Sequence, residues 1–354
     1  MPTPRTARLT TRHLITCPTP DTPDPAALRA VLPSLTSDSE LRTRARRLLE
    51  AEDLPLLGRP VPAPSPWTDR LPGLAGLNSA LADARSVPYH RLFEARLSRT
   101  SLPANLQAAR LLARAVATTV RGALIDLDSN QLVPPPPEPS AFVLAHGWVG
   151  VFISPDDDGL IRADTYRADT YRADTYRADT YRADTYGLHR FGLPEISARG
   201  VPLGLVHLAA NLTRGLAYRL TTAHHPTLGC RDDHPPATSP SATLTRCSTT
   251  DVLRFWGLPA TPGPSVTVRL APATTPCPDC ETALEITPAT PTPPTIWWRT
   301  QSLSFAPLTH PAHGLVPTHD MPTLLSRGAP ALLAPTNRAP TLPVPSAHAP
   351  PFRS

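Results

Sequence analysis

The chain contains no lysine: all 34 basic residues are arginine. A bias that complete reflects a GC-rich coding sequence more than 34 separate demands for guanidinium chemistry, so arginine is discounted as a functional signal. Long apolar runs are also missing. No stretch approaches the roughly 20 consecutive apolar residues of a membrane span, and the opening residues lack the apolar stretch of a secretory signal. The setting expected from these absences is the cytoplasm, with no membrane contact. Aromatics make up only 5% of the chain, and the formal net charge of +5 is scattered rather than clustered. That excludes a specific nucleic-acid signal, because such surfaces gather basic charge and interleave it with aromatic rings. The dense run Arg42, Arg44, Arg46 and Arg47 is followed by Glu50, Glu52 and Asp53, and reads as a solvated helix face.

What the chain has in excess is proline, 48 of 354 residues. Each removes a backbone donor and disfavours helix at the residue before it. The prolines divide the chain into a proline-rich segment at 1–36, a helical region at 37–133 ending in a hairpin, a sheet-and-helix core at 141–222, a proline-rich region with short strands at 223–306, and a disordered tail at 307–354. The tail has too little apolar periodicity to offset its ordering entropy.

Within these segments, Ser37, Asp38, Ser39 and Glu40 give a helix start, and Leu41, Ala45, Leu48 and Leu49 recur at helical spacing, predicting a helix over 38–52. A second helix is predicted over 104–121, from Pro103 to Gly122. Ala123–Leu127 and Gln131–Val133 flank the turn Asp128-Ser129-Asn130 as a hairpin. The nearly continuous apolar stretch 141–153 predicts two buried strands or one bulged strand at the sheet centre. A strand broken by Pro194 is expected over 191–199. From Val201 a helix is expected with Leu205, Leu208, Ala209, Leu212, Leu216 and Leu220 inward, and with His207, Asn211 and Arg214 toward solvent. Short extended runs at 265–270, 281–287 and 295–299 are expected to pair. The class expected is α+β, a central antiparallel sheet flanked by helices with a disordered proline-rich C-terminal tail.

Residues 162–186 are five identical copies of Arg-Ala-Asp-Thr-Tyr. As a strand, each odd-length copy turns its side chains to the opposite face, and as a helix each copy rotates the pattern by roughly 140°, so no constant apolar face exists. The unit Ala163-Asp164-Thr165-Tyr166-Arg167 resembles that of the pentapeptide-repeat family, but a threonine at the central position leaves the interior of such a coil thin. The simpler reading is four copies inserted where one strand-to-turn passage stood. Removing four leaves one copy running into Gly187-Leu188-His189-Arg190-Phe191-Gly192-Leu193-Pro194-Glu195. Residues 141–221 then resemble a bacterial domain family of unknown function, in which a strand leads into a Gly-Leu-x-x-Phe-Gly-Leu-Pro-Glu segment and a leucine-rich helix. The resemblance implies an α+β fold and no activity.

Cys277-Pro278-Asp279-Cys280 is the one two-cysteine motif, with a spacing that lets two thiolates share a Zn²⁺ if two further ligands arrive, drawn from Cys230, His234 and Cys247. Otherwise no cofactor is expected. His224, His225, Asp232, Asp233 and His234 read as a solvated loop, and His310, His313, His319 and Asp320 lie in the tail. The chain has no phosphate-binding glycine loop, dinucleotide fingerprint, Gly-x-Ser-x-Gly elbow or His-Glu-x-x-His. The function expected is a non-enzymatic soluble binding or interaction protein with a protein partner. The alternative is a zinc-stabilised or zinc-dependent enzyme using Cys277 and Cys280.

Overall fold

The computed structural model describes residues 8–51, 56–67, 87–133, 136–156, 180–225, 243–273 and 282–300. The class is α+β, with the strands divided between two sheets. In the first, β1 (Arg8–Cys17) pairs antiparallel along its whole length with β4 (Tyr89–Ser98) and on its other side with β5 (Leu124–Asp126). Short strands β2 (Leu56–Leu57) and β3 (Val61–Pro62) extend the β4 side, and β6 (Gln131–Leu132) extends β5 across the expected Asp128-Ser129-Asn130 turn. A strand thus begins at Arg8, inside the proline-rich segment, because the prolines stand on either side of the run Arg8–Cys17 rather than in it.

Three helices cover this sheet. α1 (Pro25–Leu35) is capped by Asp24, whose carboxylate accepts the Ala26 N–H at 3.0 Å, and has proline in its first turn, where no intrahelical donor is needed. α2 (Ser39–Glu50) is capped by Asp38 and turns Leu41, Ala45 and Leu48 inward. Its arginine face is exposed at Arg46 and Arg47, and Arg44 pairs with Glu40. α3 (Ala104–Thr119) is buried on every side from Leu106 to Ala117. It packs between the sheet and the α1–α2 pair, and each fully buried leucine or valine contributes about 1.5–3 kcal/mol. The chain leaves α3 at Gly122, where a Cβ would lie 1.6 Å from the Thr16 carbonyl oxygen of β1, so only glycine allows that approach.

The second sheet runs β10 (Thr243–Ser248), β11 (Ser265–Pro272), β12 (Ala283–Pro288), β9 (Glu195–Val201), β8 (Tyr181–Tyr186) and β7 (Gly150–Pro155), antiparallel except for the parallel β12–β9 pair. α4 (Val206–His224) lies across β7, β8 and β9, and α5 (Thr249–Phe255) packs on α4. α6 (Pro294–Thr300) follows β12.

Three expectations are corrected, and the repeat supplies one strand. Residues 141–149 form turns, not strands, and only Gly150–Pro155 pairs, at the sheet edge rather than its centre. Carbonyls in and just before that stretch are taken by polar side chains of α3: Gln107 Nε2 donates to Pro139 O and Ser140 O, and Arg110 Nη1 to His146 O. The run at 295–299 is helical because Pro293 and Pro294 supply a helix start. The polar stripe of α4 does not face solvent, since Asn211 is buried and His207 and Arg214 are half-buried. Finally, one repeat copy does join the core. β8 comprises Tyr181 and the last copy, with Ala183 and Thr185 buried. A five-residue period spoils a strand only over several copies; along this one strand Tyr181, Ala183 and Thr185 share a face. Residues 162–179 of the other copies and the tail from residue 301 lie outside the described residues, where the disorder expectation also falls.

Candidate functional site

The segment Gly187–Glu195 folds as a hook between β8 and β9. Gly187 takes φ +110°, where a Cβ would lie 2.3 Å from the Trp148 carbonyl oxygen, and a 3-10 turn follows over Leu188–Phe191. Glu195 turns back to close the hook: Oε1 accepts the N–H groups of Gly187 and His189 at 2.9 and 3.1 Å and sits 2.8 Å from His189 Nδ1. Its other oxygen accepts the Thr185 hydroxyl at 2.7 Å. The carboxylate therefore satisfies the first donors of the turn, as an N-cap does.

From the hook, fully buried Arg190 reaches across to the first sheet and grips Asp126 at the end of β5, with Nη1 2.9 Å from Oδ2 and Nη2 on Oδ1. Asp126 Oδ1 also accepts the N–H groups of Asp128 and Ser129 at 3.0 Å each, which shapes the turn. Asp128 accepts the backbone N–H and Nε of Arg12 on β1, both at 2.9 Å. His189 Nε2 lies 3.3 Å from Asp128 Oδ1, in ion-pair range though off the angle of a good hydrogen bond. His13 stands on the other side, edge-on to Phe93, with Nε2 3.5 Å from Asp126 Oδ2 and no hydrogen bond from either ring nitrogen.

These surroundings set the charges. Burial opposes ionisation of Asp126 and Asp128, but the basic groups around them, Arg190 first among them, together outweigh it and hold both below the ordinary carboxylate range. Burial also disfavours charged His189, yet Asp128 and Glu195 overcome it and raise the imidazole to about 9. For His13 burial wins over the attraction of Asp126, and the ring drops to about 4. At neutral pH His189 is therefore a cation and His13 is neutral.

A second buried cluster adjoins the first. Glu138 takes Arg110 Nε at 2.9 Å and Arg114 Nε at 2.6 Å, from successive turns of α3. The buried Trp148 ring carries Arg110 on it, with Cζ 3.4 Å from the ring centroid, and the Arg190 Cζ lies 5.7 Å away. One indole is thus shared by a guanidinium of each cluster.

Each buried carboxylate is engaged by arginine or histidine of the same chain. His189 presents both ring nitrogens to carboxylates and holds its proton at neutral pH, so it is not placed to act as a base. The arrangement binds the two sheets to each other.

Of the residues proposed for metal, Cys277, Cys280, Cys230 and His234 lie outside the described residues, as do Asp232, Asp233 and the histidines of the tail. Cys247 is described: its thiol is fully buried, 3.8 Å from the Leu212 carbonyl oxygen, and burial raises its pKa well above the ordinary value. Among the described residues no group of three or more His, Cys, Asp or Glu side chains is placed to hold a metal ion. His225 is not loop solvation but buried, its Nε2 2.8 Å from the Phe191 carbonyl oxygen, while His224 is exposed beside Arg99. The residues of the charge network escaped the sequence reading because arginine was discounted as a class. Gln107, Arg110 and Arg114 on an otherwise apolar helix were the available signal.

Set against protein-family models, curated proteins and solved structures, the chain matches none. Among the described residues no helix is long and apolar enough to cross a membrane.

Proposed function

We propose that this chain is a soluble, cytoplasmic, non-enzymatic binding protein. One observation supports that reading above the others: the polar centre of the molecule is neutralised from within. Asp126, Asp128, Glu138 and Glu195 are each held by arginine or histidine, which removes the free carboxylates that acid–base chemistry would use, and the neutral His13 is fully buried. Groups so committed serve geometry, and recognition falls to the surface they hold in shape.

The test is an assay of the purified chain against chromogenic carboxylic esters, phosphate esters and glycosides, with His189→Gln and Asp128→Asn alongside. The reading expects no turnover that distinguishes the three proteins. Turnover that disappears in a variant still folded by circular dichroism contradicts it.

A further inference from the structure

Arg214, half-buried, differs from the buried arginines. Arg110, Arg114 and Arg190 each hold a carboxylate, and Arg91 is surrounded by loop oxygens of Pro20, Asp21 and Thr22. Arg214 has neither. Its Nη1 donates to the Asn211 amide oxygen at 3.0 Å, and its Cζ lies 5.1 Å from the centroid of the Trp256 ring, just past the end of α5. Among the described residues no carboxylate lies within ion-pair distance of it, whereas Arg219, further along α4, is 3.9 Å from Asp251. A guanidinium carries five N–H donors in a planar fork, and an amide oxygen uses one of them. The rest is a two-toothed donor edge matched to an oxyanion.

The neighbours suit the same ligand. His207, Asn211 and Arg214 follow one another at helical spacing along one face of α4, so the amide lies against the guanidinium and the imidazole one turn beyond the amide. His207 is half-buried. Burial without a compensating acid lowers the Arg214 pKa to about 10, and burial together with Arg214 lowers that of His207. A charge partly withdrawn from water with no partner is costly, and a bound anion relieves that cost. The Trp256 ring holds the guanidinium plane, so little side-chain freedom is left to lose on binding.

We infer that Arg214, with Asn211, His207 and Trp256, forms a binding site for an oxyanion, the carboxylate or phosphoryl group of a ligand, at the junction of α4 and α5. This names a ligand class for the binding protein proposed above and rests on that reading.

The experiment is an NMR titration of the full chain with inorganic phosphate and, separately, with acetate, ionic strength being held constant with sodium chloride. The reporters are the His207 ring and Trp256 indole resonances. Saturable shifts are expected with at least one anion. Arg214→Gln weakens the apparent affinity by roughly tenfold or more, the loss of a charge-assisted pair. Arg214→Lys, which keeps the charge but not the fork, gives an intermediate loss and serves if the glutamine variant fails to fold. Arg246→Gln, on exposed β10, leaves the affinity unchanged. Saturation by acetate alone assigns a carboxylate and by phosphate alone a phosphoryl group. Shifts that rise without saturating, or that survive in Arg214→Gln, overturn the site. Turnover together with saturable phosphate binding would remove the binding-protein reading and keep the site; neither turnover nor saturation would do the reverse.

Discussion

His13 and His189 stand on two sides of the same aspartate pair and are driven in opposite directions. The difference lies in what each ring meets. His189 faces one carboxylate at each nitrogen, while His13 approaches a carboxylate already held by Arg190. Their effects on stability have opposite signs. His189, raised from 6.5 to about 9, contributes stability that is full below pH 6.5 and is lost as pH rises through 9. His13, lowered from 6.5 to about 4, favours the folded state when neutral, so its contribution is full above pH 6.5 and is lost as pH falls toward 4. Each window spans on the order of 3 kcal/mol. Urea denaturation from pH 4 to 9 is expected to give maximal stability near pH 6.5, with the alkaline slope flattened in His189→Gln and the acid slope flattened in His13→Leu. An alkaline slope unchanged in His189→Gln would show that the imidazolium is not held by Asp128 and Glu195.

At the scale of elements, β8 shows how one copy of a repeat differs from an array. Tyr181, Ala183 and Thr185 face inward, Thr185 meets Glu195, and Gly187 then starts the hook. The hook fixes which copy is used, because its covalent neighbour is the last. Deletion of residues 162–181 would leave the five residues Asp156–Leu160 between β7 and β8, with Ile161 in the place of half-buried Tyr181. Melting temperature is expected to hold or rise slightly, since the shorter connection saves loop-closure entropy on the order of 1 kcal/mol. Deletion of all five copies removes β8 and is expected to abolish cooperative melting. If the first deletion destabilises as severely as the second, more than one copy is packed.

Helix α2, with its Asp38 cap and apolar stripe, and α3, bracketed by Pro103 and Gly122, were legible in the sequence because local signals and packing agree there. So was the hairpin around Asp128-Ser129-Asn130. The stretch 141–149 was not, because apolar composition reports burial and not pairing, and its His146 carbonyl answers to Arg110 on α3. The charge network was illegible for a related reason. Its members come from β1, α3, β5 and the hook, and Arg190 is 64 positions from Asp126. No local pattern encodes such a meeting, although the Gly-Leu-x-x-Phe-Gly-Leu-Pro-Glu segment did mark where the hook lies.

For the molecule as a whole, the two sheets are expected to unfold as one cooperative body, joined where Arg190 from the second sheet enters the turn of the first. The buried pair is costly to break singly, because removing one partner strands the other charge in a medium that solvates it poorly. The most direct measurement is a double-mutant cycle on Arg190→Met and Asp126→Asn, followed by urea denaturation with tryptophan fluorescence and far-ultraviolet circular dichroism. Each single change is expected to cost about 3–5 kcal/mol. The double variant should cost less than their sum by roughly 1–3 kcal/mol, with both probes reporting one coincident transition in the wild type. A cost under about 1 kcal/mol for Arg190→Met, as for a surface pair, or two separate wild-type transitions would contradict the claim that this network holds the sheets together.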